Sequence, residues 1–534
     1  TAKLSMGYTD TQLNEVRTIP STVYNPAFGL GSEFSILFLS HGKRNSWIME
    51  PQLDWNLSWK KHQLNTLLGS SFQSQNSERL SQLGMGFSSN ELLRSLGAAT
   101  TLFVTANEKT QYNYQAIFAR LNYIFDDKLI LNLTGRRDGS SRFGPGKRFA
   151  NFGAIGAAWV FSKEAFIQKG LPFLSFGKLR GSYGVTGNDQ IGDYQYLDTY
   201  SISGNQYNGV IGLQPNRLFN PNFGWESNNK LELATELGLF QDRFFVTAAW
   251  YQNRSSNQLV GIPLPATTGF STLQANLNAT VENSGWEFDI RTVNLSNNSF
   301  KWISSLNLSI PKNKLLAFDG LESSTYANSY VIGEPITIDK VYEFTGIDPD
   351  TGVYTFKDFD EDGVVTNPND KQFIANRSPE FFGGLNNTFN YKNWSFDFLF
   401  QFVKQQGRNY LYGLNLAGGM SNMPTEVLNH WPNSGTTADI QRYTTGANSD
   451  ALNAYFRYGS SSATISDASY IRLRNINLSY SFPIEKTGVC SGKIYLQGQN
   501  LLTITNYKGA DPEAQLLSYI PPLKQYALGI QLNF

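Results

Sequence analysis

The chain has 534 residues, with 43 lysines and arginines against 43 aspartates and glutamates. That is far longer than one soluble core supports and lacks the basic excess of a nucleic-acid binder. Charged residues make up only 16% and aromatics 14%, yet mean hydropathy is negative and no run approaches the roughly 18 apolar residues of a transmembrane helix. The single cysteine, Cys490, excludes an intrachain disulfide framework or a cysteine zinc site and reads as a small residue near a turn.

Taken in chain order, "TAKLSMGYTD" shows no basic segment followed by an apolar stretch, so no signal peptide is read there. Residues 1–110 keep the strand pattern. From there, side chains alternate between two faces, as in a strand. Leu129, Leu131 and Leu133 oppose Ile130, Asn132 and Thr134, and Leu179, Gly181, Tyr183 and Val185 oppose Lys178, Arg180 and Ser182. Further on, Trp286, Phe288 and Ile290 oppose Glu287, Asp289 and Arg291. The clearest run is "NWSFDFLFQFV", where Trp394, Phe396, Phe398, Phe400 and Phe402 oppose Ser395, Asp397 and Gln401. A bulky stripe beside a carboxylate fits one face in lipid and one in water. The chain closes on the same pattern: Tyr526, Leu528, Ile530, Leu532 and Phe534 share one parity.

Antiparallel strands are expected mainly over 111–187, 230–317, 380–405 and 465–534. Roughly sixteen candidates reach the roughly 9–11 residues that cross a bilayer at a tilt. Short turns ("FDDK", "FQDR", "YKN") contrast with long polar connections at about 189–229, 318–379 and 406–464, an asymmetry of outer-membrane barrels. These connections are expected on one side of the membrane and the short turns on the other. No repeat of 20 to 50 residues and no extended helical period is visible. The last strand should pair with about 492–505 and have no partner on its other edge.

Several segments together resemble SusC-like (SusC/RagA family) TonB-dependent outer-membrane transporters. They include "LNLTGRRDGSSRFGPGKRFANFGAIGAAWVFSKEAF" (131–166), "KLRGSYGVTGNDQIGDY" (178–194), 223–270, "NSGWEFDI" (283–290), 358–401, "SDASYIRLRNINLSYSFP" (466–483), "GQNLLTITNYKGADPEA" (498–514) and the closing "YALGIQLNF". The resemblance implies an all-β, transmembrane antiparallel β-barrel in the outer membrane of a Gram-negative, Bacteroidetes-type bacterium. It implies import of oligosaccharides or peptides, a SusD-like surface lipoprotein as lid, and energy from TonB. Members carry a regulatory domain, a TonB-contacting segment and a plug ahead of a barrel of about 22 strands. None of these is found in the sequence, so residues 1–534 read as the C-terminal part of such a barrel, beginning after its first strands. Phe534 stands where the family has the terminal aromatic read by the assembly machinery. The rival reading is a structural or secretion-associated barrel without nutrient import.

Within "DFDEDGVVTNPND", Asp358, Asp360, Asp362 and Gly363 carry the first-half spacing of an EF-hand-type calcium loop. Its second half is irregular: Asn369 stands at position twelve and Asp370 comes next. The four-aspartate set is a candidate structural calcium site, and a solvated acidic loop is the alternative. No cofactor is required. Arg136, Arg137, Asp138, Arg142, Lys178, Arg180, Glu287, Asp289 and Arg291 are expected on the wet face, lining a polar path or pairing between strands. Loop aromatics Tyr194, Tyr196, Tyr207, Trp225, Tyr326, Tyr330, Tyr412 and Trp431 suit sugar or peptide contact and equally the packing of long loops. His41, His62 and His430 are isolated, and no hydrolase elbow or phosphate loop occurs, so no active site is read.

Overall fold

A computed structural model of the chain describes residues 1–483, 491–515 and 520–533; Cys490 and Phe534 lie outside the described residues. Sixteen strands form one sheet. They are β1 Ala2–Ile19, β2 Ile36–Trp59, β3 His62–Met85, β4 Thr101–Phe125, β5 Leu129–Ser140, β6 Phe149–Trp159, β7 Leu174–Asn188, β8 Glu226–Leu239, β9 Phe244–Pro263, β10 Thr272–Ser296, β11 Phe300–Phe318, β12 Phe381–Tyr391, β13 Trp394–Lys404, β14 Tyr470–Pro483, β15 Ser491–Thr505 and β16 Gln525–Asn533. Hydrogen-bonded neighbours keep chain order from β1 to β16. Among the described residues, β1 pairs only with β2 and β16 only with β15, so each has one edge without a partner strand. Among the described residues, no helix is long and apolar enough to cross a membrane.

The chain divides into two compact units, 1–158 with 182–230 and 255–278, and 159–181 with 231–254 and 279–534. In the first, one face of the sheet is apolar and exposed. Tyr8 pairs with Trp47 and Met6 with Met49, Leu53 pairs with Leu68, and Ile117 next door is 64% exposed. Large apolar groups left open in such numbers would be unstable in water, and hydrocarbon is the medium that accommodates them. The opposite face is polar, with Asn65, Asn122 and Asn132 side by side across three strands. Strands β2, β3 and β4 are 24, 24 and 25 residues long, about twice what a bilayer requires, so they stand well clear of it.

The second unit repeats this segregation. Phe396 pairs with Phe389 and Leu478, Phe398 with Asn387 and Ile476, and Phe400 with Leu385 and Leu473. The apolar row continues through Leu478, Leu496 and Leu528. Asn387 would be a costly amide on this face, but its Oδ1 accepts from Trp302 Nε1 (3.0 Å) and Ser304 Oγ (2.5 Å). Gly383 faces Phe402 because a Cβ there would lie 2.6 Å from the ring. On the other face Asn477 donates to Asp397 (3.0 Å), and Glu287, Asp289 and Arg291 sit opposite Ser309, Asn307 and Ser305.

Connections alternate between the two ends of these antiparallel strands. In the second unit 319–380 and 405–469 leave one end, and the tight turns 297–299 and 392–393 occupy the other. In the first unit 20–35, 86–100 and 141–148 share one end, and the turns after Trp59 and Phe125 share the other. The long connections carry structure absent from the sequence reading. Ile338–Val341 pairs with Phe373–Asn376, Phe344–Ile347 with Tyr354–Phe356, and Gln406–Arg408 with Ile465–Asp467; a helix, α1, spans Ser449–Tyr458.

One expectation is corrected. Arg137 does not share the polar face with Arg136, because neighbours in a strand point to opposite sides. Arg136 pairs across with Phe118, and Arg137 pairs with the exposed Ile117 on the apolar side.

The segregation of faces sets the cost of a charge. Phe398→Arg should reduce the assembled fraction, by about 2–4 kcal/mol of stability for a midplane arginine, whereas Asn386→Lys on the polar face should leave it near wild type. Heat-modifiable electrophoretic mobility after folding into lipid reads both.

Candidate functional site

The acidic loop comes directly after the short strand Tyr354–Phe356. Gly363 takes φ +84°, a conformation glycine adopts without strain, and its N–H donates to Asp358 Oδ2 (2.8 Å) while Val364 N–H donates to Asp362 Oδ1 (2.8 Å). The chain thereby curls around its own carboxylates. One ligand oxygen from each of Asp358, Asp360 and Asp362 lies within 4.8 Å of the others. Two oxygens on opposite sides of a calcium ion stand about 4.6–5.2 Å apart at normal bond lengths, so the cluster has the right span. Asp358 Oδ1 is buried and has no hydrogen-bond partner, a state a cation would relieve. Asn369 Nδ2 donates to Asp360 Oδ2 (2.7 Å), and turning that amide over would offer its oxygen instead.

Asp370 has a different task. It is fully buried and stands outside the three-aspartate cluster. Its two oxygens accept from Thr366 N–H (2.7 Å) and Phe359 N–H (2.5 Å). The Thr366 contact, with that of Phe359, holds its carboxyl below the ordinary 3.8 despite desolvation. The candidate ligand set therefore divides into three carboxylates that converge and one that clamps the loop.

Around this loop the long connections of the second unit pack into a platform. Tyr342, Tyr354, Phe356, Ala454 and Tyr458 form its core, with Phe344, Ile347 and Leu411 against it. Tyr354 and Tyr458 stack at 4.0 Å, and burial pushes the Tyr458 hydroxyl up to about 12, so both remain neutral. Beside this core a hollow of about 310 Å³ is lined by Tyr412, Tyr455, Phe456, Leu414 and Asn415. Tyr412 is 48% exposed and lies under the Arg408 guanidinium at 4.0 Å. A second hollow, about 770 Å³, includes Tyr330 and Lys340.

The aromatics singled out from sequence separate accordingly. Tyr412 and Tyr330 line hollows. Tyr196 is buried with Phe143 and Phe223, Trp225 packs on Phe143 at 4.8 Å, and Trp431 donates to Pro349 O (3.1 Å). The hydroxyl of Tyr194 accepts from Gln111 N–H (2.9 Å), Tyr326 stacks on Tyr330, and Tyr207 is 89% exposed. Of the isolated histidines, His62 stacks on Trp59, His430 stacks on Tyr443, and His41 Nδ1 hydrogen-bonds Asn14 Oδ1.

Of the expected polar-face charges, Lys178 and Arg180 pair between strands, Arg136 pairs within β5, and Arg142 lies in a connection and pairs with another connection. Glu236 accepts from Lys178 (3.3 Å) and Arg180 (3.2 Å), and Glu232 pairs with Arg180. Arg136 pairs with Asp138 at 2.5 Å and Arg142 with Asp193 at 2.9 Å.

Sequence reasoning missed the most buried pair in the second unit. Arg472 on β14, 1% exposed, donates to Asp511 (2.5 Å), Glu513 (2.8 Å) and Thr503 (3.0 Å). Arg474 grips the other oxygen of Glu513 at 2.5 Å. Together they pin the segment 511–515 to the sheet, and Gln405 Nε2 holds Pro512 O (3.0 Å). The signal was present in two arginines set in an apolar alternation, "YIRLRNINL", and in the acids of "ADPEA", about 40 residues on.

A family model described as "TonB dependent receptor-like, beta-barrel" matches residues 1–501. TonB-dependent receptor P3 of Formosa agariphila is 30% identical over 585 residues, covering 100% of this chain and 56% of its own length. TonB-dependent receptor SusC of Bacteroides thetaiotaomicron is 26% identical over 473 residues, covering 81% and 44%. This chain thus spans about half the length of the curated relatives it matches. A solved structure of the RagAB peptide transporter superposes with TM-score 0.83 at 24% identity, over 100% of this chain and 60% of that one, a likeness of fold.

Removing one side of the buried pair strands the other. Arg472→Met should destabilise the folded chain by about 3–5 kcal/mol, and Arg472→Met with Asp511→Leu should recover much of that loss, as read by denaturant titration in lipid.

Proposed function

This chain belongs to the TonB-dependent receptor-like β-barrel family, whose members are outer-membrane proteins of Gram-negative bacteria; on that premise we propose that it forms wall and outer loops of a nutrient importer. The cargo is an oligosaccharide or peptide, the lid a SusD-like surface lipoprotein, and the energy source TonB. The observation that carries the reading is the pairing of a two-faced sheet with a structured loop platform. One face suits hydrocarbon, the other holds paired charges and amides as a wet wall would, and the platform places ring-lined hollows at the long-loop end. Flat rings such as Tyr412, Tyr455 and Phe456 suit sugar faces and apolar peptide side chains.

The long connections face the cell exterior. There the platform captures cargo before it passes along the polar face, which is lined by Lys178, Arg180, Glu232 and Glu236. The sixteen strands are the C-terminal part of a barrel of about 22 strands. Further strands of the whole protein cover the free edges of β1 and β16, since unpaired backbone groups in hydrocarbon cost several kcal/mol each. Coupling to TonB and gating belong to parts of the whole protein beyond this barrel portion.

Deleting the gene should abolish TonB-dependent uptake of one class of oligosaccharide or peptide. Tyr412→Ala with Tyr455→Ala should lower uptake roughly tenfold, as expected for two lost ring contacts, with surface abundance unchanged. Uptake of every oligosaccharide and peptide pool unchanged by the deletion would refute import and favour a structural or secretion role.

We further propose that Asp358, Asp360 and Asp362 hold a structural calcium, supported by their span and by the unpartnered Asp358 Oδ1. The ion would neutralise three facing carboxylates and fix the loop against the platform. Chelation should then speed proteolytic cleavage within 358–370, and Asp360→Asn with Asp362→Asn should abolish that sensitivity. Cleavage indifferent to chelator in the unaltered protein would mean a merely solvated loop.

A further inference from the structure

The apolar face of the first unit carries a basic groove that the transport reading does not use. Cross-strand register places Trp47, Ser74 and Asn113 in one row and Phe72 with Gln115 in a row two residues nearer the short turns. A hollow of about 400 Å³ opens among them, with Arg148 and Phe149 on its wall. From Trp47 to Trp59, beside the short turn, β2 runs twelve residues. At about 3.3 Å per residue and a tilt of about 40° these rise about 30 Å, the thickness of a hydrocarbon core. The groove therefore lies at the boundary between acyl chains and headgroups, at the long-loop end.

Arg148 lines the hollow, and Arg137 borders it through the Phe149 ring. Arg137 shares the apolar face with Ile117; its guanidinium lies 5.4 Å from the Phe149 ring and donates to Asn151 Oδ1 (3.2 Å). Among the described residues, neither Arg137 nor Arg148 has a carboxylate within ion-pair distance. On the same face toward the loops, Glu78 is taken by Lys109 at 2.7 Å and sits opposite Lys43, so the region is net positive. A lipid-facing arginine is tolerated near the interface, where it finds an anion or water, and guanidinium matches phosphate through two parallel hydrogen bonds.

We propose that this groove binds the phosphate-bearing headgroup of an outer-leaflet lipid. Arg148 and Arg137 take the phosphate, and Ser74, Asn113 and Gln115 face the polar remainder between the Trp47 and Phe149 rings. The acyl chains continue along Ile117, which makes the occupant a lipid rather than free phosphate.

The test uses the full-length receptor in nanodiscs of a phosphate-free galactolipid doped with lipid A or with dephosphorylated lipid A, followed by native mass spectrometry of retained lipid. The receptor should retain lipid A, and Arg137→Gln with Arg148→Gln should lower retention at least about tenfold with heat-modifiable mobility unchanged. Dephosphorylated lipid A should not be retained, and excess inorganic phosphate should not displace the phosphorylated form. If the double variant fails to assemble, Arg148→Gln alone, in an exposed connection, should show a reduced loss of the same sign. Equal retention by variant and parent, equal retention of the dephosphorylated lipid, or displacement by inorganic phosphate would overturn the proposal.

Discussion

In hydrocarbon there is no water to satisfy backbone N–H and C=O groups, so every one of them must find a partner within the protein. This constraint dictates the two-residue period of the strands and the antiparallel meander in chain order. It also accounts for the tight turns at one end, where consecutive strands must repair their hydrogen bonding within two or three residues. Once the backbone is committed to strands, alternate side chains have no choice of medium. Phe396, Phe398 and Phe400 share one face with Leu478 and Leu528, while Asn477 donates to Asp397 on the other. The few polar groups on the apolar face are dealt with individually, as Asn387 is by Trp302 and Ser304.

Beyond the membrane the rules change, and the long connections are stabilised as a small soluble protein would be. They have a core of their own around Tyr342, Tyr354 and Tyr458, short sheets, a capped helix in which Asn448 accepts from Ala451 N–H, and a buried ion pair that staples 511–515 to β14. Order of this kind supports the proposed capture, because a platform that is already ordered does not lose conformational entropy when a ligand arrives. The acidic loop fits the same logic. Asp370 spends its charge on backbone N–H groups, leaving three carboxylates free to converge.

Period two made most of this legible. The alternation of "NWSFDFLFQFV" and "YALGIQLNF" gave strand, face and medium, and 525–533 pairs with 491–499, part of the expected preceding strand. What stayed hidden depends on contacts distant in sequence. Arg472 and Asp511 lie 39 residues apart, and nothing local tells an arginine in a strand whether an acid will return to it. The helix Ser449–Tyr458 is short and buries mainly Ala451, Ala454 and Tyr458, too weak a period to stand out within a polar loop. Arg137 lies off the expected wet face because the strand geometry that locates Arg136 and Asp138 turns the residue between them outward.

The central claim is that this sheet divides lipid from water along alternate residues. Single nitroxide labels at each position from 394 to 404 and from 525 to 533, in the full-length receptor in bilayers, measure it through paired accessibilities to oxygen and to a water-soluble nickel chelate. The predicted result is a two-residue period in both strands, with oxygen favoured at 396, 398, 400, 528 and 530 and the chelate favoured at 397, 401, 527 and 529. Accessibilities without that alternation, or with the two reagents exchanged between the faces, would contradict the account.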